Sequence, residues 1–380
     1  MIKYFACLLL RFLLRLLYIF PVKEGVVILT SFGGRQYSCN PKYIAEYIIK
    51  NTSMQVYFAI NMKRKDEIPC KIKLVKYRSL KHLYYLMTCE FIIVNSSDFT
   101  KYLPYRKKQK YINTWHGAFI FKIGDQKKRD NYYGKKMLSI CGKELNHYIR
   151  NCTLDQGPLF IQNIDSKSKY LDIGYPRSDI FFNSNINKIN YIKNKVGIDN
   201  NKKIILYAPT YRDSYNNDDR KNINSYGFEI LDVDRVLNIF DSRFGESHIL
   251  LFRAHHDMLP DNISTNAINV SGYPDMQELL LISDFLITDY STSMIDFSIQ
   301  GKPGFLYTPD LDNFKFNIPS FNPINQWPYL YAENNDDFIK LVEQYNSRIA
   351  SEKIKKFLDR IGCCDEGKAC ERLCQEIFIK

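Results

Sequence analysis

Apolar and polar positions alternate along this chain in a repeating order: a short β-branched run, a polar or glycine-bearing turn, then a stretch at helical spacing. Gly25–Ser31 predicts a first strand of parallel type. The loop Phe32-Gly33-Gly34-Arg35-Gln36 follows, and Asn40-Pro41 opens a helix over Lys42–Lys50. The order recurs with a strand at Gln55–Ile60, a helix at Leu80–Cys89 and a strand at Phe91–Asn95. A β-like run starting at Tyr111 ends in Trp115-His116-Gly117-Ala118, and Leu171–Asp179 reads as a strand and turn. A second series begins at Lys203–Tyr207 and continues through Ile249–Arg253 and Ile268–Val270. It culminates in Ile282–Phe297, where the strand Phe285–Thr288 runs into Asp289, Ser291, Thr292 and Ser293 ahead of Met294, Ile295 and Phe297. Small polar residues in front of an apolar stretch announce a helix N-terminus.

Strand followed by helix, repeated, predicts parallel sheets, and ligands bind such sheets outside the carboxyl ends of their strands. Polar clusters around Arg177, Thr210, His255 and Ser291 all fall at or near such ends. At Ser291 and Thr292 a helix start offers unpaired backbone N–H groups, the positive dipole end and two hydroxyls, a combination that suits phosphate. Asp296, one turn further on, is placed for a ribose or polyol hydroxyl. A capped helix after a core strand explains this one stretch equally well. His116, before a glycine at a strand's end, suits a base that titrates near neutrality, whereas a lone histidine elsewhere is usually structural. Gly33-Gly34 reads as a phosphate loop or as a packing requirement with equal force.

At 380 residues, the chain is expected to form two α/β domains of roughly 150–200 residues each. The boundaries are expected at 23–185 and 186–380, behind a segment 1–22 that stands apart, with the last helix able to pack back on the N-terminal domain. A net charge of +12 points to anionic partners: nucleic acid, acidic membrane or phosphorylated substrates. Residues 101–143 carry twelve Lys and Arg against Asp125 and Asp130, yet no nucleic-acid module accompanies them, so nucleic acid is not expected as a partner. Ten scattered cysteines fit reduced thiols in the cytosol. Cys363, Cys364, Cys370 and Cys374 match no metal-ligand spacing, and Cys370 with Cys374 reads as one buried helix face. No metal and no cofactor are expected. Residues 2–20 are strongly apolar but carry Lys3, Arg11 and Arg15. Two arginines inside the apolar run argue against a signal peptide and a spanning helix. Arg11 and Arg15, four apart, predict instead an amphipathic helix lying on the cytoplasmic membrane face, with its arginines among lipid phosphates; a helix buried in the N-terminal core is the alternative.

The ordered segments SFGGRQYSCNPK, NTWHGAFIFKIG, GYPRSD, ILYAPTYRD, FRAHH and SGYPDMQELLLISDFLITDYSTSMIDF, with the tail AENNDDFIKLVEQ and GKACER, resemble the CDP-glycerol glycerophosphotransferase family over nearly the whole chain. The resemblance implies an α/β protein of GT-B type, with two Rossmann-like domains facing a central cleft. The N-terminal domain takes the acceptor and the C-terminal one takes CDP. It implies transfer of glycerol phosphate, or a related polyol phosphate, from CDP-glycerol to the hydroxyl end of a lipid-linked or polymeric polyol or saccharide acceptor, with release of CMP. It further implies that His116 and His255 are catalytic, and that Gly117, Ala118, Phe119 and Ile120 lie beside His116. Arg177, Pro209, Thr210, Arg253, Ala254, Ser291, Thr292 and Asp296 then complete the CDP-glycerol site. Three departures from the family's habit stand out: Ala118-Phe119 in place of Thr-Pro, His256 in place of Pro, and Thr292 in place of a second Ser. Two other classes compete. One is a GT-B glycosyltransferase using a nucleotide sugar; the other is a basic membrane-bound binding protein, which the converging His, Arg and Ser residues argue against.

Overall fold

The structure, a computed structural model, describes residues 2–61, 68–118, 132–155, 157, 169–210, 230–254, 266–312 and 324–378. The chain divides into two units. Unit 1 comprises Met1–Phe119, Ile123–Phe182 and Cys363–Lys380, and unit 2 comprises Ile120–Lys122 and Asn183–Gly362.

Among the described residues, unit 1 holds seven strands: β1 Lys23–Thr30, β2 Gln55–Ile60, β3 Lys73–Lys76, β4 Cys89–Val94, β5 Lys110–Asn113, β6 His147–Arg150 and β7 Lys169–Asp172. They form one sheet in the order β3-β2-β1-β4-β5-β6-β7, every pair parallel. The central strands are continuous apolar runs because both sheet faces are covered. Their period of two sends Val27, Leu29, Phe91 and Ile93 to one face, against Ile44 and Ile48 of the helix Cys39–Asn51 and Leu373 and Ile377 of the C-terminal segment. Val26, Ile28, Ile92 and Val94 take the other face, against Leu86 and Met87 of the helix Leu80–Thr88. Each such side chain contributes roughly 1.5–3 kcal/mol on burial.

Unit 2 repeats the plan with β8 Lys203–Tyr207, β9 His248–Phe252, β10 Ala267–Asn269, β11 Phe285–Thr288, β12 Gly304–Tyr307 and β13 Leu330–Ala332. The order is β10-β9-β8-β11-β12-β13, again all parallel. Phe240 fills the centre of one face, within 5.7 Å of the rings of Phe285 and Phe305. The strand order reverses between β1 and β4 in unit 1, and between β8 and β11 in unit 2.

The glycine turn after β1 is explained by packing. Gly34 has φ +78, and a Cβ there would stand 2.5 Å from the Tyr77 side chain. Cys370 and Cys374 are buried as the pattern predicts; burial raises the Cys370 thiol well above its ordinary range and pushes Cys374 up to about 11.

The N-terminal segment forms the helix Ile2–Arg15, but its polarity differs from expectation. Arg11 does not face outward. Its Nη2 pairs with Glu144 and its Nη1 donates to the Tyr102 carbonyl at 2.8 Å, so it belongs to the stripe that carries the buried Cys7 and Leu14. Arg15 is exposed, as is Lys3, but the outward face is mostly apolar: Ile2, Phe5, Leu9, Phe12 and Leu13 are half or more exposed, and Leu16 and Ile19 continue it. Among the described residues no helix is long and apolar enough to cross a membrane.

Candidate active site

In unit 1 the strand-order reversal is bridged by one side chain. Asn95 follows β4 directly and is fully buried; its Oδ1 accepts the Phe32 N–H at 2.7 Å from the turn after β1. The Asn95 main-chain oxygen lies 2.6 Å from His116 Nδ1. A carbonyl only accepts, so Nδ1 carries the proton, and in the neutral ring the lone pair sits on Nε2. The imidazole is exposed and stacks on Trp115, with centroids 4.6 Å apart and planes 23° apart; the Phe32 ring lies 5.3 Å away. Phe32, Cys39 and Trp115 all hold positive φ, of 46, 58 and 47°. Strain of about 1–3 kcal/mol per residue persists only where surrounding contacts fix the backbone. The Trp115 N–H donates to Asn113 Oδ1 at 2.8 Å, and the buried Asn40 donates its Nδ2 to Thr114 and Trp115 carbonyls at 3.2 and 3.1 Å.

Arg177, expected in the CDP-glycerol site, lies in unit 1. It is 2% exposed, stacks 4.6 Å over the Tyr175 ring and donates to Cys39 Sγ at 3.4 Å, while its own N–H reaches Asn40 Oδ1. The guanidinium therefore braces the loop that leads into Cys39–Asn51. Gly117 and Ala118 are buried beside His116; Phe119 and Ile120 lie outside the described residues.

In unit 2 the reversal is bridged by a carboxylate. Asp289 follows β11 and is 1% exposed; it accepts the Thr210 N–H at 2.9 and 3.0 Å and the Thr210 hydroxyl at 2.8 Å, fixing the turn that Pro209 begins after β8. The sequence placed Asp289 among the residues announcing a helix, and the structure uses it across two strands instead. Ser291 Oγ accepts the Ser293 N–H at 3.2 Å and the Ser293 hydroxyl at 2.9 Å, at the start of the helix Ser293–Ser298. Thr292 is the N-cap and makes no side-chain cap bond, so its hydroxyl is not used in capping. Asp296, expected to meet a polyol, is 4% exposed and accepts from Gln277 Nε2 at 2.9 Å. Arg253 Nη1 donates to the Tyr273 carbonyl at 2.7 Å; burial pulls its guanidinium below its ordinary value, with Asp275 opposing. Ala254 N–H meets Ser271 Oγ at 2.9 Å. His255 and its neighbour His256 lie outside the described residues. Among the described residues no group of three or more His, Cys, Asp or Glu could hold a metal ion.

Asn40 and Asn95 were missed by sequence reasoning. Asn95 did carry a signal, a polar residue directly after the apolar run Phe91–Val94, of the same kind that marked Thr210.

Two parallel α/β units, each with buried polar groups gathered where its strand order reverses, are the layout of an enzyme that binds its ligands at strand ends. The chain belongs to the family described as CDP-Glycerol:Poly(glycerophosphate) glycerophosphotransferase, which matches residues 12–379, and it is a glycerophosphotransferase. It is 27% identical to a teichoic acid poly(glycerol phosphate) polymerase of Bacillus spizizenii over 96% of this chain and 94% of that one. It is 24% identical to a teichoic acid poly(ribitol-phosphate) polymerase of the same organism, over 94% of this chain and 57% of that one. A solved structure of a variant of the wall teichoic acid polymerase TagF superposes with a TM-score of 0.78 at 25% identity, covering 99% of this chain and 97% of that one.

Proposed function

We propose that the chain transfers glycerol phosphate from CDP-glycerol to the terminal hydroxyl of a lipid-linked or polymeric acceptor, in synthesis of a teichoic acid or a capsular polymer, and that its two units are those of a GT-B enzyme. The reading rests on the His116 imidazole, whose Nδ1–H is committed to the Asn95 carbonyl at 2.6 Å. The acceptor oxygen attacks the phosphorus bearing glycerol. A new P–O bond forms, the bond to the bridging oxygen breaks, and CMP leaves with that electron pair. His116 Nε2 takes the hydroxyl proton. Arg253, His255, Ser291 and Thr292 offset the charge on the phosphoryl oxygens, where fixed donors contribute most. Arg177 and Asp296 act by holding these loops, since both side chains are buried. Glycerol is favoured over ribitol by the higher identity to the glycerol phosphate relative, 27% against 24%.

Attachment to an anionic membrane follows from the apolar face of residues 2–19. Leu9, Phe12, Leu16 and Ile19 are 60, 63, 67 and 82% exposed, and burying each in lipid contributes roughly 1.5–3 kcal/mol. The function is tested by supplying the enzyme with acceptor and, separately, CDP-glycerol, CDP-ribitol and sugar nucleotides, and weighing the products by mass spectrometry. Growth by one glycerol phosphate with stoichiometric CMP is the expected result. Growth by a sugar would identify a glycosyltransferase.

A further inference from the structure

Asn95 is more than a buried polar residue near the histidine. Its two oxygens face two different partners: the main-chain oxygen receives His116 Nδ1 at 2.6 Å, and Oδ1 receives the Phe32 N–H at 2.7 Å. Phe32 in turn holds φ +46, and its ring sits 5.3 Å from the imidazole. One residue therefore sets both the tautomer of the histidine and the conformation of the ring beside it. Asn95 is fully buried, and its Nδ2 has no hydrogen-bond partner among the described residues. Leaving a buried donor unpaired costs about 1–3 kcal/mol. If anchoring Phe32 were the whole requirement, aspartate would accept that N–H more strongly and leave no amide nitrogen to satisfy.

We propose that Asn95 is a positioning residue of the transfer reaction: its carbonyl fixes the Nδ1–H tautomer of His116, and its amide anchors Phe32 without bringing a charge to the imidazole. The neutrality is the functional part. A carboxylate within about 4–6 Å stabilises imidazolium, and a protonated ring cannot accept the acceptor's hydroxyl proton. Asn95, Phe32 and Trp115, which meet the ring, carry no ionisable group. Among the charged groups on the neighbouring segments, Arg35 Nε donates to the Phe32 carbonyl at 3.0 Å, Asp98 accepts from Thr100 N–H at 2.9 Å and from the Tyr77 hydroxyl at 3.1 Å, and Arg78 lies over the Tyr77 and Phe99 rings.

The inference rests on the reading of His116 as the base, and the experiment separates the two. The pH profile of kcat/KM for CMP release is measured for wild type, Asn95→Asp, Asn95→Ala and His116→Ala, with CDP binding by calorimetry as the folding control. Asn95→Asp keeps the acceptor for Phe32, so near-wild-type turnover is expected at high pH, with the acid limb moved up by about one unit or more. Asn95→Ala loses the anchor without adding charge, so kcat falls about tenfold with KM within threefold and the acid limb in place. An unmoved acid limb in Asn95→Asp, or an Asn95→Ala rate within threefold of wild type, overturns the role of Asn95 alone. Wild-type turnover in His116→Ala overturns the base beneath it. Should the Asn95 variants fail to bind CDP, 15N NMR of histidine-labelled wild-type enzyme decides. An Nδ1–H tautomer at His116 is expected, and an Nε2–H tautomer overturns the proposal.

Discussion

At the β1/β4 reversal the bridging group is the neutral amide of Asn95, and at the β8/β11 reversal it is the carboxylate of Asp289. Both residues follow a central strand, both are buried, and both reach a backbone N–H on the neighbouring loop. Only the charge differs. In unit 1 the residue that carries the bridge also meets the His116 imidazole, through its main-chain oxygen. In unit 2 the bridge receives an N–H and a hydroxyl from Thr210, and a carboxylate is the stronger acceptor for both.

The comparison breaks most readily at Asp289. Replacing it by Ala leaves the Thr210 N–H without its acceptor, so unfolding in urea should show a loss of about 1–3 kcal/mol, and the donor KM should rise about tenfold or more. Asn at the same position should recover most of the stability. If Ala changes neither quantity, the unit 2 bridge has no role in holding the loop.

A smaller effect is expected at the helix start. Ser291→Ala combined with Thr292→Val removes two hydroxyls of about 0.5–1.5 kcal/mol each, so donor KM should rise several-fold with kcat less affected. Unchanged steady-state constants would reduce these residues to helix formers.

Acid should separate the units further. Burial lowers His82 and His147, both in unit 1, to about 4. Between the ordinary value near 6.5 and about 4, the unfolded chain binds these protons and the folded one does not, so stability falls as pH falls across that window. Thermal unfolding of His82→Gln should lose less on acidification from pH 6.5 to 4 than the wild type does; equal losses would contradict this.

The smallest effect on catalysis is expected at the N-terminal helix. Leu9, Phe12 and Leu16 changed to Asp should abolish sedimentation with anionic vesicles in high salt, because apolar insertion is hardly screened. Turnover on a short soluble acceptor should stay within twofold. Retained sedimentation would place membrane binding elsewhere.

The strands Gln55–Ile60, Lys203–Tyr207 and Phe285–Thr288 were legible to the residue, because apolar runs bounded by turn residues leave few alternatives. Lys73–Lys76 and His147–Arg150 were not, since only Val75 in the first and Tyr148 and Ile149 in the second are buried, between polar ends. Leu330–Ala332 is an edge strand with two exposed residues and shows no pattern at all. The site divides in the same way. His116, Thr210 and Ser291 announce themselves at strand ends. Asn95 carries only the signal of a polar residue closing an apolar run, and its contact with His116 runs through a main-chain oxygen, which has no side-chain signature. Arg177 and Asp296 look like ligand groups by charge, but their partners Cys39 and Gln277 come together with them only in the folded chain. In the N-terminal helix the periodicity gave the element, and Glu144, far along the chain, decided which way Arg11 turned.

The division of labour between the units is tested most directly at His116. CDP-glycerol affinity by calorimetry and single-turnover CMP release are compared between wild type and His116→Ala. The expected result is a rate reduced by about 100- to 10,000-fold, the range for loss of a general base, with the dissociation constant within threefold. A rate within threefold of wild type, or a collapse of donor affinity that accounts for the whole loss, would contradict the account.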